Sequence, residues 1–137
     1  MGLLFILNHA AYFAQKNFLK TTKSSFVFAI GWLLLITILL CIPGTRLPKV
    51  SWSDKIWLDK WIHIFLFLVL VFLWCKACKT IYSKRNFIIV TLLSIVYGIA
   101  MEIVQHYFIP FRSFDYDDII ADGLGSVGGY FISVKRS

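Results

Sequence analysis

Ionisable side chains are concentrated in one short stretch of an otherwise apolar sequence. The segment 101–125, MEIVQHYFIPFRSFDYDDIIADGLG, holds five of the seven acidic residues of the chain. Carboxylates of this kind act as general acids or bases, bind divalent cations or pair with basic side chains. Which of these they do depends on the elements that bring them together.

The spacing of the polar residues predicts that several of them share helix faces. Three segments carry polar or small residues three to four positions apart: Asp59 with His63; Glu102 with Gln105 and His106; and Asp118 with Asp122 and Gly125. Residues at this spacing lie on one side of an α-helix. We therefore expect three helices that each carry a polar stripe.

The composition indicates that these helices lie in a membrane. The chain has 137 residues, of which 59% are hydrophobic and 15% are charged. Soluble domains are closer to half apolar and one quarter charged. The net charge of +7 comes from 14 Lys and Arg residues that stand in short clusters between apolar runs, so it gives no extended basic face for nucleic acid. The sequence predicts an integral membrane protein that does not bind nucleic acid.

Four apolar stretches can form membrane helices. They are residues 26–43, 61–75 with a helix that begins near residue 56, 87–108 and 119–134. About 20 apolar residues cross a bilayer core. The apolar residues 2–14 predict an amphipathic helix at the membrane surface. We expect an all-α membrane protein, a bundle of four transmembrane helices with a short N-terminal interfacial helix, divided into a segment 1–25 and one domain 26–137.

The distribution of Lys and Arg predicts the orientation of this bundle. With both termini in the cytoplasm, nine basic residues lie inside and five lie outside, which agrees with the positive-inside rule. The starts of the second and fourth spans and the end of the third span then share the outer surface. We expect the polar stripes to meet there in one shallow site.

The free energy of membrane insertion argues that these residues face one another. A charged side chain at the bilayer centre costs about 2.5–3.5 kcal/mol, so several such residues require partners or a water-filled pocket. Simpler structural roles are also open. Arg112 can pair with the neighbouring acids and hold a loop together, Asp118 can cap the last helix, and His106 can lie at the membrane interface.

Metal binding is a further alternative for the acidic residues. Asp118 and Asp122 with Glu102 nearby have the oxygen ligands that Mg²⁺ or Ca²⁺ prefers. The Asp-Gly-x-x-Ala-Arg signature of membrane phosphoalcohol transferases is missing upstream. We therefore expect no cofactor and leave a divalent metal as the alternative.

The glycine-rich end of the sequence has a structural explanation. Gly125 and Gly129 form a GxxxG spacing. Small residues at this spacing let membrane helices approach closely. No Gly-rich loop with Lys and Ser or Thr follows a strand, so a phosphate-binding loop is not indicated.

The polar residues, taken in order, resemble the VanZ family of small bacterial membrane proteins. The resemblance covers about residues 54–130 and consists of Asp59-Lys60-x-x-His63, Glu102-x-x-Gln105, Arg112, Asp118, Asp122-x-x-Gly125 and Gly129. The chain departs from the family pattern twice. The family usually has Asn at the position of Asp122, and Pro-Gly-Arg where this chain has Pro110-Phe111-Arg112.

The resemblance implies a setting more firmly than a reaction. It implies the outer face of a bacterial plasma membrane, and the founding member of the family is associated with resistance to the glycopeptide teicoplanin. A membrane lipid, a lipid-linked envelope precursor or a glycopeptide antibiotic is therefore the expected partner.

Two hypotheses of function follow for this site. In the first, the protein is a membrane-embedded hydrolase or transferase. Its expected catalytic residues are His63, Glu102 and Asp118, and its expected substrate-binding residues are Asp59, Lys60, Gln105, Arg112 and Asp122. In the second, the protein is a non-catalytic binder or accessory protein for a lipophilic antibiotic, a lipid or an envelope partner.

Overall fold

The described part of the chain is helical, and a short turn joins its last two helices. A computed structural model describes residues 23–43, 45, 58–78 and 84–136. The helices are α1 (Lys23–Leu40), α2 (Leu58–Ala77), α3 (Lys84–Phe108) and α4 (Tyr116–Lys135). No strand occurs in these ranges, so the all-helical prediction is confirmed. The interfacial helix expected at residues 2–14 and the start of α2 expected near residue 56 lie outside the described residues, and the division at residue 25 stays a prediction.

Three of the described helices, α1, α2 and α3, are long and apolar enough to cross a membrane. Many of their outward side chains are large, apolar and exposed, as in Leu34, Phe65 and Leu92. These features are those of a helical membrane protein. The helix α4 is as long as α2 at 20 residues but contains three acids and four glycines, so it is not one of the three strongly apolar spans.

Helices α2 and α4 touch through their backbones. A Cβ atom added at Gly125 would overlap the carbonyl group of Ile64, and one added at Gly129 would lie 2.6 Å from the carbonyl oxygen of Leu68. The space next to Gly123 in the same helix is open. The close packing predicted from the Gly125 and Gly129 spacing is therefore present, and its partner is α2.

Helix α3 packs against α4 through small and polar residues. A Cβ atom at Gly98 would lie 2.6 Å from Oδ2 of Asp122, so only glycine gives this carboxylate room. The hydroxyl groups of Ser94 and Ser126 are 3.0 Å apart one turn deeper in the bundle. This interface lets the polar face of α4 lie against α3 as well as α2.

Helix α1 completes an apolar core and is tied to the bundle by hydrogen bonds. The core cluster is formed by Ile36, Leu40, Leu66, Phe67, Leu70 and Met101. The indole nitrogen of Trp32 donates to the carbonyl oxygen of Leu66 at 3.0 Å, and the hydroxyls of Thr37 and Tyr97 are 2.9 Å apart. These bonds fix α1 against α2 and α3 beside the polar residues.

The turn between α3 and α4 places the start of α4. Asp115 is the N-cap, and its side chain accepts a hydrogen bond from the backbone N–H of Asp117 at 2.8 Å. The prediction that Asp118 caps this helix is therefore wrong. Asp118 lies inside the first turn because α4 begins at Tyr116, and its side chain is free to bind other groups. Phe111 in the same turn has a φ of 60°, where L side chains are strained.

The contact at Gly125 gives a test of the packing. We expect Gly125→Ala to lower the free energy of unfolding in detergent micelles by at least about 2 kcal/mol, because the new methyl group meets a backbone carbonyl that cannot rotate away. The matched control is Gly123→Ala, which has open space and should cause no loss. Equal unfolding free energies for the two variants would contradict the packing described here.

Candidate functional site

The ammonium group of Lys60 is the centre of the polar cluster. Its Nζ lies 2.5 Å from Oδ2 of Asp115, 2.5 Å from Oδ1 of Asp118 and 3.2 Å from Oδ2 of Asp59. An ammonium group has three N–H donors, and these three carboxylates use all of them. Lys60 thus joins the first turn of α2 to the N-cap and the first turn of α4.

His63 lies one turn deeper on α2 between two carboxylates of α4. Its Nδ1 is 2.8 Å from Oδ1 of Asp122, and its Nε2 is 3.8 Å from Oδ2 of Asp118. All three residues are buried. Asp118 therefore bridges Lys60 and His63, and a continuous chain of charged and polar groups runs from the rim to Asp122.

Glu102 reaches this chain through the backbone of the turn. Its Oε2 accepts a hydrogen bond from the N–H of Asp115 at 3.0 Å, and the residue is only 1% exposed. Because Asp115 also binds Lys60, the N-cap residue connects α3 to α2. Glu102 at the polar end of α3 is therefore linked to Lys60 through Asp115.

Gln105 lies on the buried side of α3 but binds elsewhere. Its side-chain amide donates to the carbonyl oxygen of Leu40 at 2.8 Å, which satisfies one of the free carbonyls at the end of α1. In this structure Gln105 therefore holds α1 to α3 rather than lining the cluster.

Two further residues predicted for the site lie at its edge or outside it. The side chain of Asp59 is 64% exposed at the rim and contacts Lys60. Arg112 is half-buried and donates from Nε to the carbonyl oxygen of Ile42 at 3.5 Å. Within the described ranges it forms no ion pair, so the expected pairing of Arg112 with the neighbouring acids is wrong. Lys60 provides the positive charge for these acids instead, because the close contact of α2 with α4 brings its ammonium group within reach of them.

His106 does not share the buried face of Glu102. Its side chain is exposed, and its ring contacts those of Tyr107 and Phe114 at centroid distances of 4.8 and 6.3 Å. Near the end of α3, Glu102 and Gln105 are buried whereas His106 is exposed. The alternative that His106 belongs to the membrane interface agrees with this position.

Two residues of the cluster were not predicted from the sequence. The sequence predicted Asp115 only as a solvated loop acid or a helix cap, of which the cap is correct, and Gly98 was not considered. The signal for Gly98 was available, because it stands four residues before Glu102 and is the one glycine in α3. No pattern distinguishes Asp115 from Asp117 before the first residue of α4 is known.

The acidic groups that are close enough to share a cation are Asp59, Asp115 and Asp118. One carboxylate oxygen from each lies within 4.8 Å of the others among the described residues. The ammonium of Lys60 contacts all three, so a divalent cation would have to displace it. The expected ligand set of Glu102, Asp118 and Asp122 is divided instead among a backbone N–H, Lys60 and His63.

These features define a class before any comparison is made: a small helical membrane protein with a buried cluster of acids, one lysine and one histidine at one end of the bundle. A family model described as VanZ/LLP1 matches residues 2–135, which is nearly the whole chain. The protein belongs to the VanZ/LLP1 family, as its motifs predicted. Neither a curated protein nor a solved structure matches the chain.

The two departures from the family pattern have structural counterparts. Asp122, where Asn is usual, is the residue that binds His63. Phe111, where glycine is usual, has the left-handed backbone that glycine adopts without strain. The acid at position 122 thus puts a carboxylate beside His63, and the phenylalanine at position 111 puts a side chain on a strained backbone.

The contacts of Lys60 predict a large loss of stability when its charge is removed. We expect Lys60→Met to lower the free energy of unfolding in micelles by about 3 kcal/mol, because buried Asp118 would lose its charged partner. The control is Asp59→Asn, whose exposed ion pair with Lys60 should contribute less than about 1 kcal/mol. Similar losses of unfolding free energy for both variants would show that the Lys60–Asp118 contact contributes no more to stability than the exposed pair with Asp59.

The turn also predicts a dependence of stability on pH. The Lys60 ammonium holds the pKa of the Asp115 carboxyl below its usual range. A depressed pKa in the folded chain stabilises it above the unfolded value of about 3.9, and this contribution is lost as the pH falls through the folded pKa. We therefore expect the unfolding free energy to decrease on acidification below about pH 5.

The variant Asp115→Asn isolates this effect, because Asn is also a good N-cap. Its unfolding free energy should be lower than that of the parent at neutral pH, and it should change less with acidification, as measured by unfolding in micelles along a pH series. The same pH dependence in both proteins would exclude Asp115 as a source.

Proposed function

We propose that this VanZ-like protein acts on a lipid-linked or cell-envelope substrate by acid–base chemistry at the outer face of a bacterial plasma membrane. The observation that carries the proposal is the buried His63–Asp122 pair beside Asp118 and Lys60. Ionisable residues inside a membrane protein are costly and mark functional sites. A histidine oriented by a carboxylate is the arrangement that general bases use.

The geometry assigns separate tasks to the groups around His63. An ionised Asp122 only accepts hydrogen bonds, so it fixes the proton of the imidazole on Nδ1 and leaves Nε2 to take a proton from a substrate. Asp118, 3.8 Å from Nε2, stabilises the positive charge that His63 then gains. Glu102 is the second candidate acid or base, because it is buried and is linked to the cluster through Asp115.

Substrate binding is divided unequally among the other predicted residues. A phosphate or carboxylate that approached Lys60 would compete with three carboxylates. Arg112 is the better group for an anion, since its hydrogen bond to the carbonyl oxygen of Ile42 is long at 3.5 Å and uses Nε. Asp59 at the rim is placed to bind a cationic or hydroxyl group. Gln105 would contact substrate only after it releases Leu40.

The charges of the described residues support the proposed orientation. One end of the bundle contains the basic residues Lys23, Lys76, Lys84, Arg85, Lys135 and Arg136, and every described acid lies towards the other end. The positive-inside rule places the basic end in the cytoplasm. Both termini then lie inside, α4 is the fourth span, and the polar cluster faces the cell envelope, where glycopeptide antibiotics act.

Substitution of the proposed catalytic residues tests this function. We expect His63→Ala and Glu102→Gln each to abolish protection in a teicoplanin susceptibility assay with bacteria that express the protein, because loss of a general acid or base lowers a rate by about 10²–10⁴-fold. His106→Ala is the matched control and should protect as the parent does.

The amount of inserted protein is measured by immunoblot of membrane fractions, so that instability is separated from loss of chemistry. Full protection by normally inserted His63→Ala and Glu102→Gln would exclude acid–base catalysis as the basis of the effect.

A groove in the bundle favours the second candidate function, non-catalytic binding of a lipid or a lipophilic antibiotic. It has a volume of about 220 Å³ and lies between α1, α2 and α3; its lining residues are Leu33, Leu70, Val71, Trp74, Val90, Leu93, Ser94 and Tyr97. Tyr97 bonds to Thr37 of α1 at one end of the groove. An apolar groove at this depth suits a hydrocarbon chain.

The groove and the polar cluster are distinguished by a second pair of variants. Leu93→Trp fills the groove, whereas Leu92→Trp adds the same bulk to an exposed position that does not line it. If protection is lost with Leu93→Trp and kept with Leu92→Trp and with His63→Ala, the protein is a binder. The catalytic proposal predicts loss with His63→Ala whatever the effect in the groove.

A further inference from the structure

The turn between α3 and α4 displays aromatic rings that the described residues leave largely exposed. Phe111 is 82% exposed, and three neighbouring rings are between 73% and 76% exposed: Tyr107, Phe108 and Tyr116. Exposed apolar rings that are grouped within ten residues of one turn indicate an interaction surface. The question is what covers these rings.

The backbone at Phe111 adopts a conformation that its side chain disfavours. Phe111 has a φ of 60° in a turn that the N–H of Arg112 closes on the carbonyl of Ile109 at 3.4 Å. This left-handed conformation strains any residue with a bulky side chain, whereas glycine adopts it freely. Strain of this type persists where the surroundings compensate for it. The described part of the chain gives this ring little contact, since Phe111 is 82% exposed, and the surroundings of the bundle are the candidate for the compensating contact.

The position of the turn identifies that contact. Phe108 ends α3 and Tyr116 begins α4, so the exposed rings lie where helices of the bundle leave the membrane. Aromatic side chains are favoured at this depth, with their apolar faces towards hydrocarbon and the hydroxyl groups of tyrosine towards the lipid head groups. The lipid interface therefore fits the chemistry of the whole patch.

We propose that residues 107–116 form a membrane-interface anchor in which the ring of Phe111 inserts among the lipids at the edge of the polar cluster. The same turn carries Asp115, which binds Lys60 and donates to Glu102. Insertion of Phe111 holds the turn down and so holds these two contacts in place. The proposal depends on the membrane setting of the bundle and is independent of the reaction at His63.

The depth of the ring gives the direct test. The full chain, with 4-fluorophenylalanine in place of Phe111, is reconstituted in vesicles of phosphatidylcholine and phosphatidylglycerol. Relaxation of the ¹⁹F signal by dissolved oxygen, which concentrates in lipid, should exceed relaxation by a water-soluble nickel chelate. The same label at Phe131, an exposed ring within α4, provides the reference for a lipid-facing position. Stronger relaxation by the chelate would overturn the proposal.

Dilution of the protein in the vesicles tests a second copy as the partner. The relaxation at position 111 should not change with the ratio of protein to lipid. If the ring becomes accessible to the chelate on dilution, another copy of the chain covers it, and the anchor proposal is wrong.

Three substitutions separate the backbone of Phe111 from its ring. Phe111→Gly should raise the melting temperature in detergent, because it relieves the strain. In vesicles, both Phe111→Gly and Phe111→Ser should speed amide hydrogen exchange of residues 112–116 several-fold, and Phe111→Trp should leave it unchanged. Exchange at the parent rate in both ring-deleted variants would show that the ring does not hold the turn.

Discussion

The backbone contact between α2 and α4 is the constraint on which the polar cluster depends. Gly125 and Gly129 let the carbonyls of α2 approach α4 without an intervening side chain. At that separation, Lys60 reaches Asp118 at 2.5 Å and His63 reaches the next acid along the helix at 2.8 Å. A wider interface would leave these charges in hydrocarbon without partners, at a cost of several kcal/mol for each ion. The packing of small residues and the pairing of charges are therefore one feature of the fold.

The fold followed from the sequence because its signals are local. Apolar length fixes where a helix can cross a membrane, and the helices of the structure agree with the expected stretches to within a few residues. The GxxxG spacing likewise predicted close packing from the side-chain sizes of Gly125 and Gly129 alone. Helical spacing also predicted that the polar residues of α2 and α4 would lie on faces that can meet. Each of these inferences requires only the periodicity of a single helix.

The pairing of charges across helices was not predictable in the same way. Arg112 was the candidate partner for the acids of the turn and Lys60 was expected to bind substrate, because the sequence holds no information on which cation the close helix contact brings within reach. The role of Asp115 depends on the position at which α4 begins. Asp115 is the N-cap because the first residue of the helix is Tyr116. Gly98 matters because of the atom opposite it, Oδ2 of Asp122. Such details depend on distances between helices rather than on spacing along one.

The acid at position 122 changes what the histidine can do. An asparagine there could accept the same hydrogen bond from Nδ1 of His63 through its amide oxygen, but it would add no charge. Asp122, when ionised, fixes the imidazole tautomer and also stabilises the ring once Nε2 has taken a proton. Gly98 leaves room for the second carboxylate oxygen. The glycine on α3 and the acid on α4 thus act together to give His63 a carboxylate partner inside the bundle, which supports the general-base role proposed for it.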